Sequence, residues 1–265
     1  MTLATNSRRN FIKTVAAGSM SGLIIPNLLI ASENEGLHPQ FKDGKGMVFL
    51  FQGDSITDGN RGRNSDPNHI MGHGYAFSIA SRLGCEYPER NLTFINRGIS
   101  GNKITDLALR WKEDALDLNP DVISILIGIN DTNSSIDAIP MNTTVRLQMF
   151  DEVYRSVLDQ SVKQNPNIIL VLNQPFILKN TSTAKNWEAR HSDLAERQKI
   201  VEKIASDYSA IFVRLQDVFD AACKKAPAQY WIWDGIHPTV AGHELITREW
   251  MKQVGKQIKW VRKVG

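Results

Sequence analysis

The feature that most constrains the fold of this chain is a set of five short apolar runs, each containing β-branched residues. The runs are residues 47–51, 92–96, 122–127, 168–172 and 210–213. Continuous runs of this kind are typical of strands buried on both faces, whereas apolar and polar residues alternate in half-exposed strands. The runs therefore predict a sheet in the interior of the protein.

The stretches between these runs are longer and carry apolar residues at helical spacing. One series is Ile104, Leu107, Ala108, Trp111, Ala115 and Leu118, and a later one is Val145, Met149, Val153 and Val157. The alternation predicts one doubly wound α/β domain, with helices on both faces of a five-stranded, mostly parallel sheet. Open sheets of this kind bind ligands at the carboxyl ends of their strands, so the residues after each run are the candidates for a functional site.

The first 31 residues are interpreted as an export signal. Two arginines, Arg8 and Arg9, precede a mildly apolar stretch that reaches Ala31, which is the pattern of a twin-arginine signal. A membrane anchor is the alternative, but a spanning helix needs roughly 20 strongly apolar residues, and Pro26 and Asn27 interrupt this stretch. We expect a signal at 1–31, a linker at 32–44, a domain at 45–265, and a periplasmic or extracellular location without stable membrane insertion after export.

Charge and cysteine content exclude several classes of protein. Three of the 31 basic residues and none of the acidic residues lie in the predicted signal, so 28 basic side chains face 28 acidic ones in the rest of the chain. Nucleic-acid binding requires a basic surface, and we exclude it. The two cysteines, Cys85 and Cys223, have neither C-x-x-C nor zinc-ligand spacing. A disulfide is possible in an exported protein, but folding in the reducing cytoplasm favours two buried free thiols.

Small and polar residues follow three of the predicted strands and form a fourth cluster near the C-terminus. These four groups are residues 53–55, 98–102, 128–131 and 233–238. Acyl transfer through a serine needs a nucleophile, a base, a carboxylate that orients the base, and donors for the oxyanion. Asp234 and His237 lie three residues apart, so the carboxylate can reach the imidazole Nδ1 and leave Nε2 to face Ser55. A helix N-cap at Ser55 and a turn at Asp234 are ordinary alternatives, but the joint occurrence predicts a serine hydrolase.

The four groups resemble the four sequence blocks of the SGNH (GDSL-type) hydrolases. The resemblance implies a flavodoxin-like three-layer α/β/α sandwich without a metal or organic cofactor. It makes Ser55 the nucleophile, His237 the base and Asp234 the orienting carboxylate. It also makes the backbone N–H groups of Ser55 and Gly101 and the side-chain amide of Asn130 the oxyanion donors. An ordinary α/β-hydrolase is disfavoured, because the G-x-S-x-G pattern is absent around Ser55.

Within that family, the wording of the blocks is similar to acetylxylan esterases of the SGNH type. The resemblance implies a serine esterase that removes O-acetyl groups from acetylated xylan or xylo-oligosaccharides through an acetyl-enzyme. A rhamnogalacturonan or sialate O-acetylesterase, a short-chain lipid esterase and a non-catalytic glycan-binding protein stay open as alternatives, as does a homo-oligomeric state. Residues 60–73, which we call the 60–73 segment, depart from the family pattern.

Three further side chains are candidates for contact with substrate: His73, Trp231 and Trp233. His73 and His69 have the i, i+4 spacing of a metal pair on a helix, but the surrounding Pro67, Gly72 and Gly74 favour a loop, in which His73 lies at the rim of the pocket. Trp231 and Trp233 flank the Asp234 loop, where they can stack on sugar rings or pack against the core. We expect Asp54 and Asp131 to brace loops as hydrogen-bond acceptors, and His243 to be a structural or surface residue.

Overall fold

The computed structural model describes Gly44 and residues 46–132 and 143–264. The predicted export signal lies outside the described residues, as does the predicted linker apart from Gly44. Among the helices that are described, none combines the length and the apolar character needed to cross a membrane.

The described strands form one sheet in which every neighbouring pair is parallel. The strands are β1 Val48–Gly53, β2 Thr93–Asn96, β3 Val122–Leu126, β4 Ile169–Asn173 and β5 Ile211–Val213, in the spatial order β2-β1-β3-β4-β5. Each of the five apolar runs is a strand, with bounds within two residues of those predicted. The predicted α/β class and five-stranded sheet are confirmed.

Helices connect the strands. They are α1 Ser55–Asp58, α2 Tyr75–Glu86, α3 Ile104–Asp114, α4 Thr143–Gln164, α5 Trp187–Asp207, α6 Leu215–Ala222, α7 Ala228–Trp231 and α8 Val240–Gln257. Short 3₁₀ turns lie at Pro88–Arg90, Leu116–Leu118 and Val261–Val264, and residues 129–132 are also helical.

The sheet separates two apolar clusters, one on each face. Successive residues of β1 alternate between them: Phe49 and Phe51 belong to the cluster that contains Trp250 of α8, and Leu50 belongs to the cluster that contains Trp111 of α3. Since side chains alternate across a strand, this division places helices on both faces. The predicted three-layer α/β/α arrangement is confirmed.

Trp250 anchors the last helix to the sheet. Its ring is fully buried and packs against Phe49 and Phe51, with centroid distances of 6.4 and 6.0 Å. Its Nε1–H donates to the Ser124 hydroxyl at 3.0 Å, so the one polar atom of the ring is also satisfied. Because α8 begins three residues after His237, this packing holds the end of the loop that carries His237.

The core-facing side of α4 differs from the predicted stripe. Val145 and Met149 are 51% and 40% exposed, while Phe150 and Tyr154 are fully buried together with Val157. Of the predicted series, Val157 is thus buried and Val153 is partly buried against the same cluster, while the first two residues face outward. The helix turns its two aromatic side chains inward because they bury more apolar surface than valine or methionine.

The two cysteines are free in the described structure, as expected, but they are not both buried. Cys85 is exposed and Cys223 is partly buried. The expectation of burial was wrong for Cys85 because α2 faces the sheet with Ile79 and Leu83, and a residue two positions after Leu83 lies on the opposite side of the helix.

The order of the strands brings three of the four sequence groups to one edge of the sheet. β1 lies between β2 and β3, with Gly53 opposite Leu126 in the register, and the N–H of Ile99 donates to the Gly53 carbonyl at 3.1 Å. The fourth group is tied to the segment after β4, since the N–H of Leu178 donates to the Gly235 carbonyl at 2.9 Å. The residues that follow β1, β2 and β3 therefore lie side by side at the carboxyl edge.

Candidate active site

Ser55 is the first residue of α1 and follows the sharp turn at the end of β1. The N-cap of this helix is Asp54, whose Oδ1 accepts the Ile56 N–H at 3.0 Å. The Ser55 hydroxyl is therefore not needed to cap the helix. A side chain at Gly53 would collide with the Leu126 carbonyl and with Thr57, so the turn needs a glycine to pass this close to β3.

Ser55, His237 and Asp234 form a continuous hydrogen-bonded chain. The Ser55 Oγ lies 2.8 Å from His237 Nε2, and His237 Nδ1 lies 2.6 Å from Asp234 Oδ2. When Asp234 is ionised, the proton of the neutral imidazole resides on Nδ1, so that Nε2 can accept the proton of the serine hydroxyl. The structure thus brings together the three residues predicted from the sequence, in the geometry of a nucleophile, a base and an orienting carboxylate.

Asp234 is held in its ionised form by its own loop. Its Oδ1 accepts the backbone N–H groups of Ile236 at 2.9 Å and His237 at 2.7 Å. Burial alone would raise the pKa of Asp234, but these bonds and the bond from the His237 ring outweigh burial and lower the pKa below its usual value. Gly235 closes the loop with a φ of 87°, a left-handed conformation that favours glycine.

The two tryptophans beside this loop have different surroundings. Trp233 is 63% exposed, and its ring stacks on the His237 imidazole at a centroid distance of 6.3 Å. Trp231 is only partly exposed, packs against the core, and donates its Nε1–H to the Ala226 carbonyl at 3.3 Å. The surroundings favour core packing for Trp231. Trp233 instead has an exposed ring next to the loop that carries Asp234 and His237.

The three remaining histidines of interest are arranged differently from one another. His243 is buried, and its Nδ1 accepts the Tyr75 N–H at 3.1 Å, which is the predicted structural role. Burial, followed by the charges of His73 and His237, lowers the pKa of His243 to about 4. His73 is exposed, and its charge, like that of His237, lowers the pKa of the buried His243 ring. His69 lies in a turn and pairs with Asp66 at 3.5 Å, so the expectation of a loop is confirmed.

Gly101 and Asn130, which were predicted to bind the oxyanion, follow β2 and β3, the two strands that flank β1. Gly101 is exposed with a φ of 84°, and nothing lies within 4 Å of the position a Cβ would take. Its backbone conformation, and not crowding, requires a glycine here. The Asn130 Nδ2 donates to the Asn102 carbonyl at 3.1 Å, which ties the residues after β3 to those after β2. We call residues 98–101 the oxyanion loop.

Asp58, at the end of α1, joins the oxyanion loop to the 60–73 segment. Its Oδ2 accepts both the backbone N–H and the hydroxyl of Ser100, at 3.0 and 3.1 Å. Its two oxygens also accept the Arg63 guanidinium at 3.1 and 2.7 Å, and Oδ1 accepts the Arg61 N–H at 3.1 Å. Burial would raise the pKa of Asp58, but the bonds from Arg63, Ser100 and Arg61 lower it. The carboxylate is therefore a charged clamp between the two segments.

Asn96 supports the same clamp from β2. Its Nδ2 donates to the Thr57 carbonyl at 2.7 Å and to the Met71 carbonyl at 3.0 Å, and its Oδ1 accepts the Gly98 N–H at 2.9 Å. Sequence reasoning assigned no role to Asp58 or Asn96. The available signal was that Asp58 lies three residues after Ser55 and Asn96 two residues before Gly98, but their partners are distant in sequence.

Two further carboxyl groups lie buried beneath the site. Burial raises the pKa of Asp54 to about 7 and that of Asp131 to about 6. Asp54 is electrostatically coupled to His237 and to Asp131. Asp131 accepts the Ile104 N–H at 3.3 Å, so both residues accept backbone N–H groups, as expected for residues that brace loops.

No group of three or more His, Cys, Asp or Glu side chains within the described ranges is arranged to hold a metal ion.

Comparisons with known proteins agree with this geometry. Residues 51–245 match the model of the GDSL-like lipase/acylhydrolase family. An acetylxylan esterase from Geobacillus stearothermophilus is 33% identical over 224 residues, which cover 83% of this chain and 99% of that protein. Among solved structures, a GDSL-like lipase from Parabacteroides merdae is 36% identical with a TM-score of 0.74, covering 80% of this chain and 96% of that one. The structure of the G. stearothermophilus acetylxylan esterase Axe2 is 32% identical with a TM-score of 0.68, covering 81% and 96%.

Proposed function

The chain belongs to the GDSL-like lipase/acylhydrolase family, and on that premise we propose that it is a serine esterase that removes O-acetyl groups from acetylated xylan or xylo-oligosaccharides. The observation that carries the proposal is the continuous chain from Ser55 Oγ through His237 to Asp234, with distances of 2.8 and 2.6 Å. It supplies the nucleophile, the base and the orienting carboxylate that acyl transfer through a serine requires.

In the first half of the proposed reaction, the Ser55 Oγ attacks the acetyl carbonyl carbon while His237 Nε2 takes the hydroxyl proton. The carbonyl oxygen becomes an oxyanion, for which the N–H groups of Ser55 and Gly101 and the Asn130 amide are the donors. When the intermediate collapses, His237 returns the proton to the departing sugar oxygen. The products are the free sugar hydroxyl and an acetyl ester on Ser55.

In the second half, water takes the place of the sugar hydroxyl. His237 removes a proton from the water, which attacks the acetyl ester, and the same proton then passes to Ser55 Oγ as acetate leaves. Asp234 stays ionised throughout and stabilises the imidazolium that forms twice in each cycle. The low pKa of Asp234 supports this role.

Three observations support the proposed reaction and its carbohydrate substrate. The alignment with the acetylxylan esterase covers nearly the whole length of that protein. Solved variants of Axe2 described as catalytic mutants replace a serine, an aspartate and a histidine by alanine, and the last two lie three residues apart, as Asp234 and His237 do. In addition, Trp233 leaves an aromatic face exposed beside His237, which is suited to stacking on a sugar ring.

The test measures acetate released by the purified enzyme from acetylated xylan, acetylated xylo-oligosaccharides, acetylated rhamnogalacturonan and longer-chain esters. We expect the xylan-derived substrates to have the highest kcat/KM, and Ser55→Ala to abolish release from them. Ser156→Ala is the matched control, because it removes an exposed hydroxyl from α4, outside the catalytic site. Glycan binding without acetate release from any substrate would instead favour a non-catalytic binding protein, and undiminished release by Ser55→Ala would exclude the mechanism.

We further propose that residues 1–31 direct export by the twin-arginine route, so that the enzyme acts in the periplasm or outside the cell. The support is the Arg8-Arg9 pattern and the mildly apolar stretch that follows it. Replacing both arginines with lysines is expected to retain the enzyme in the cytoplasm, as measured by esterase activity in separated cell fractions.

A further inference from the structure

A cavity of about 380 Å³ lies beside the edge strand β2, at the carboxyl edge of the sheet where the 60–73 segment crosses it. Its lining includes three arginines and apolar and amide side chains: Arg61, Arg63, Arg97, Asn64, Ile70 and Phe94. We call it the arginine cavity. Its volume is in the range of small-ligand sites, and its mixture of charged, amide and apolar groups is suited to a ligand with both an anionic group and a ring.

Arg61 is the most buried of the three arginines, with only 9% of its surface exposed. Its Nε donates to the Gly98 carbonyl at 2.9 Å, but within the described residues its two Nη nitrogens have no hydrogen-bond partner. Burial, followed by the charges of Arg63 and Arg97, lowers the pKa of Arg61 to about 10. The charges of Asp58 and Asp114 offset part of this lowering, and an anion in the cavity that accepts from the Nη nitrogens offsets more of it.

The carboxylates near the cavity do not balance its positive charge. Asp58 is engaged by Arg63 at 2.7 Å. Asp114 lies 3.4 Å from Arg97 and is shared with a further arginine, Arg110, at 3.0 Å. Together with Arg61, four guanidinium groups thus face two carboxylates, and the three arginines that line the cavity favour an anionic ligand. Among anions, a carboxylate matches the planar fork of a guanidinium in a bidentate manner.

The arginine cavity adjoins the catalytic machinery. Arg63 binds Asp58, which lies one helical turn, about 5 Å along the axis, from Ser55. Arg61 binds the carbonyl of Gly98, the first residue of the oxyanion loop. A group bound in the cavity is therefore close enough to belong to a sugar near the one whose acetyl ester reaches Ser55.

We propose that the arginine cavity binds a carboxylate-bearing sugar of the same glycan, so that the enzyme prefers acetyl esters next to an acidic sugar. The inference rests on the proposed function and specifies its substrate further. Arg61 and Arg63 bind the carboxylate, while Phe94 and Ile70 contact the sugar ring. The preference is electrostatic, so it declines as ionic strength rises.

The experiment compares two acetylated xylo-oligosaccharides of equal length, of which one carries a glucuronic acid substituent and the other does not. The readout is the ratio of kcat/KM for the acidic to that for the neutral substrate, because a general defect in folding or catalysis lowers both values together. We expect a ratio of about ten for the wild type at low salt, from charge-assisted hydrogen bonds at a partly solvated site. We expect Arg61→Gln to bring the ratio close to one and Arg61→Lys to restore part of it.

Arg82→Gln is the matched control. Arg82 lies on α2, pairs with Glu244 and does not line the cavity. Its loss is therefore expected to leave the ratio unchanged. A wild-type ratio of one or less, or an Arg61→Gln ratio equal to that of the wild type, would overturn the inference. These results are distinguishable from failure of the proposed function, in which the neutral substrate also releases no acetate.

A second measurement on the wild type covers the case in which Arg61→Gln does not fold. Free glucuronate is expected to inhibit hydrolysis of the acidic substrate more strongly than inorganic phosphate at equal ionic strength. Equal inhibition by the two anions would indicate a general anion site and refute recognition of an acidic sugar.

Discussion

Replacing Asp58 with asparagine tests whether this carboxylate positions the oxyanion loop. Asp58 has a side chain that is 4% exposed and accepts five hydrogen bonds, from Arg61, Arg63 and Ser100. An amide in its place turns an NH₂ group towards existing donors. Two of the five bonds are lost if the NH₂ replaces Oδ1, and three if it replaces Oδ2.

The magnitude follows from these contacts. Each lost bond costs about 1 kcal/mol net, and the ion pair with Arg63, whose side chain is 52% exposed, adds less than about 1 kcal/mol. We therefore expect the free energy of unfolding to fall by about 2–4 kcal/mol. Loss of one oxyanion donor typically lowers kcat by about 10²–10³-fold. Because the variant displaces the Ser100–Gly101 peptide rather than removing its N–H group, we expect a decrease in kcat of about 10–100-fold with a smaller change in KM.

The assays are urea unfolding and steady-state acetate release at a temperature well below the melting point. Asp66→Asn is the matched control, because Asp66 lies in the same 60–73 segment with a side chain that is 39% exposed, and it should change neither quantity appreciably. Stability lowered with kcat unchanged would mean that Asp58 braces the fold without positioning the oxyanion loop. No change in either quantity would refute the reasoning altogether.

Since the pKa of Asp58 is lowered in the folded state, its contribution to stability is present above the unfolded value near 3.8 and is lost as the pH falls through the folded pKa.

Four other changes test separate parts of the structure. Ser55→Ala should lower kcat by several powers of ten without altering the melting temperature, as measured by acetate release, and near-normal turnover would exclude the nucleophile. Asp234→Asn should lower kcat by about 10⁴-fold, since an amide no longer enforces the Nδ1–H tautomer of His237, and a loss under tenfold would contradict that role. Trp250→Ala should lower the free energy of unfolding by about 3–5 kcal/mol in urea, whereas a loss under about 1 kcal/mol would mean that α8 is held by other contacts. Burial raises the pKa of Asp54 to about 7, so the wild type loses stability as the pH rises from about 4 to about 7. The Asp54→Asn variant keeps the N-cap and should be more stable than the wild type at pH 8 by on the order of a few kcal/mol, an advantage that should vanish at pH 4 in paired unfolding curves.

The position of the strands and of the residues predicted to be catalytic could be read from the sequence because both depend on local patterns. A strand buried on both faces needs a continuous apolar run, and residues 122–127 satisfy that condition whatever their neighbours are. Asp234 and His237 lie three residues apart, so one loop brings their side chains together. The turn after β1 placed Ser55 at the carboxyl edge of the sheet for the same local reason.

Tertiary structure decided what depends on residues far apart in the chain. The buried face of α4 was mispredicted because the helix chooses between two possible stripes according to the surface it packs against, and Phe150 and Tyr154 fit that surface better than Val145 and Met149. The clamp at Asp58 joins residues 42 positions apart, and it forms because β1 and β2 are neighbours. The arginine cavity has the same origin, since Arg61 and Arg97 meet only when the 60–73 segment lies against β2. Local sequence patterns therefore specified the chemistry of Ser55, while the packing of the strands decided which charges surround it.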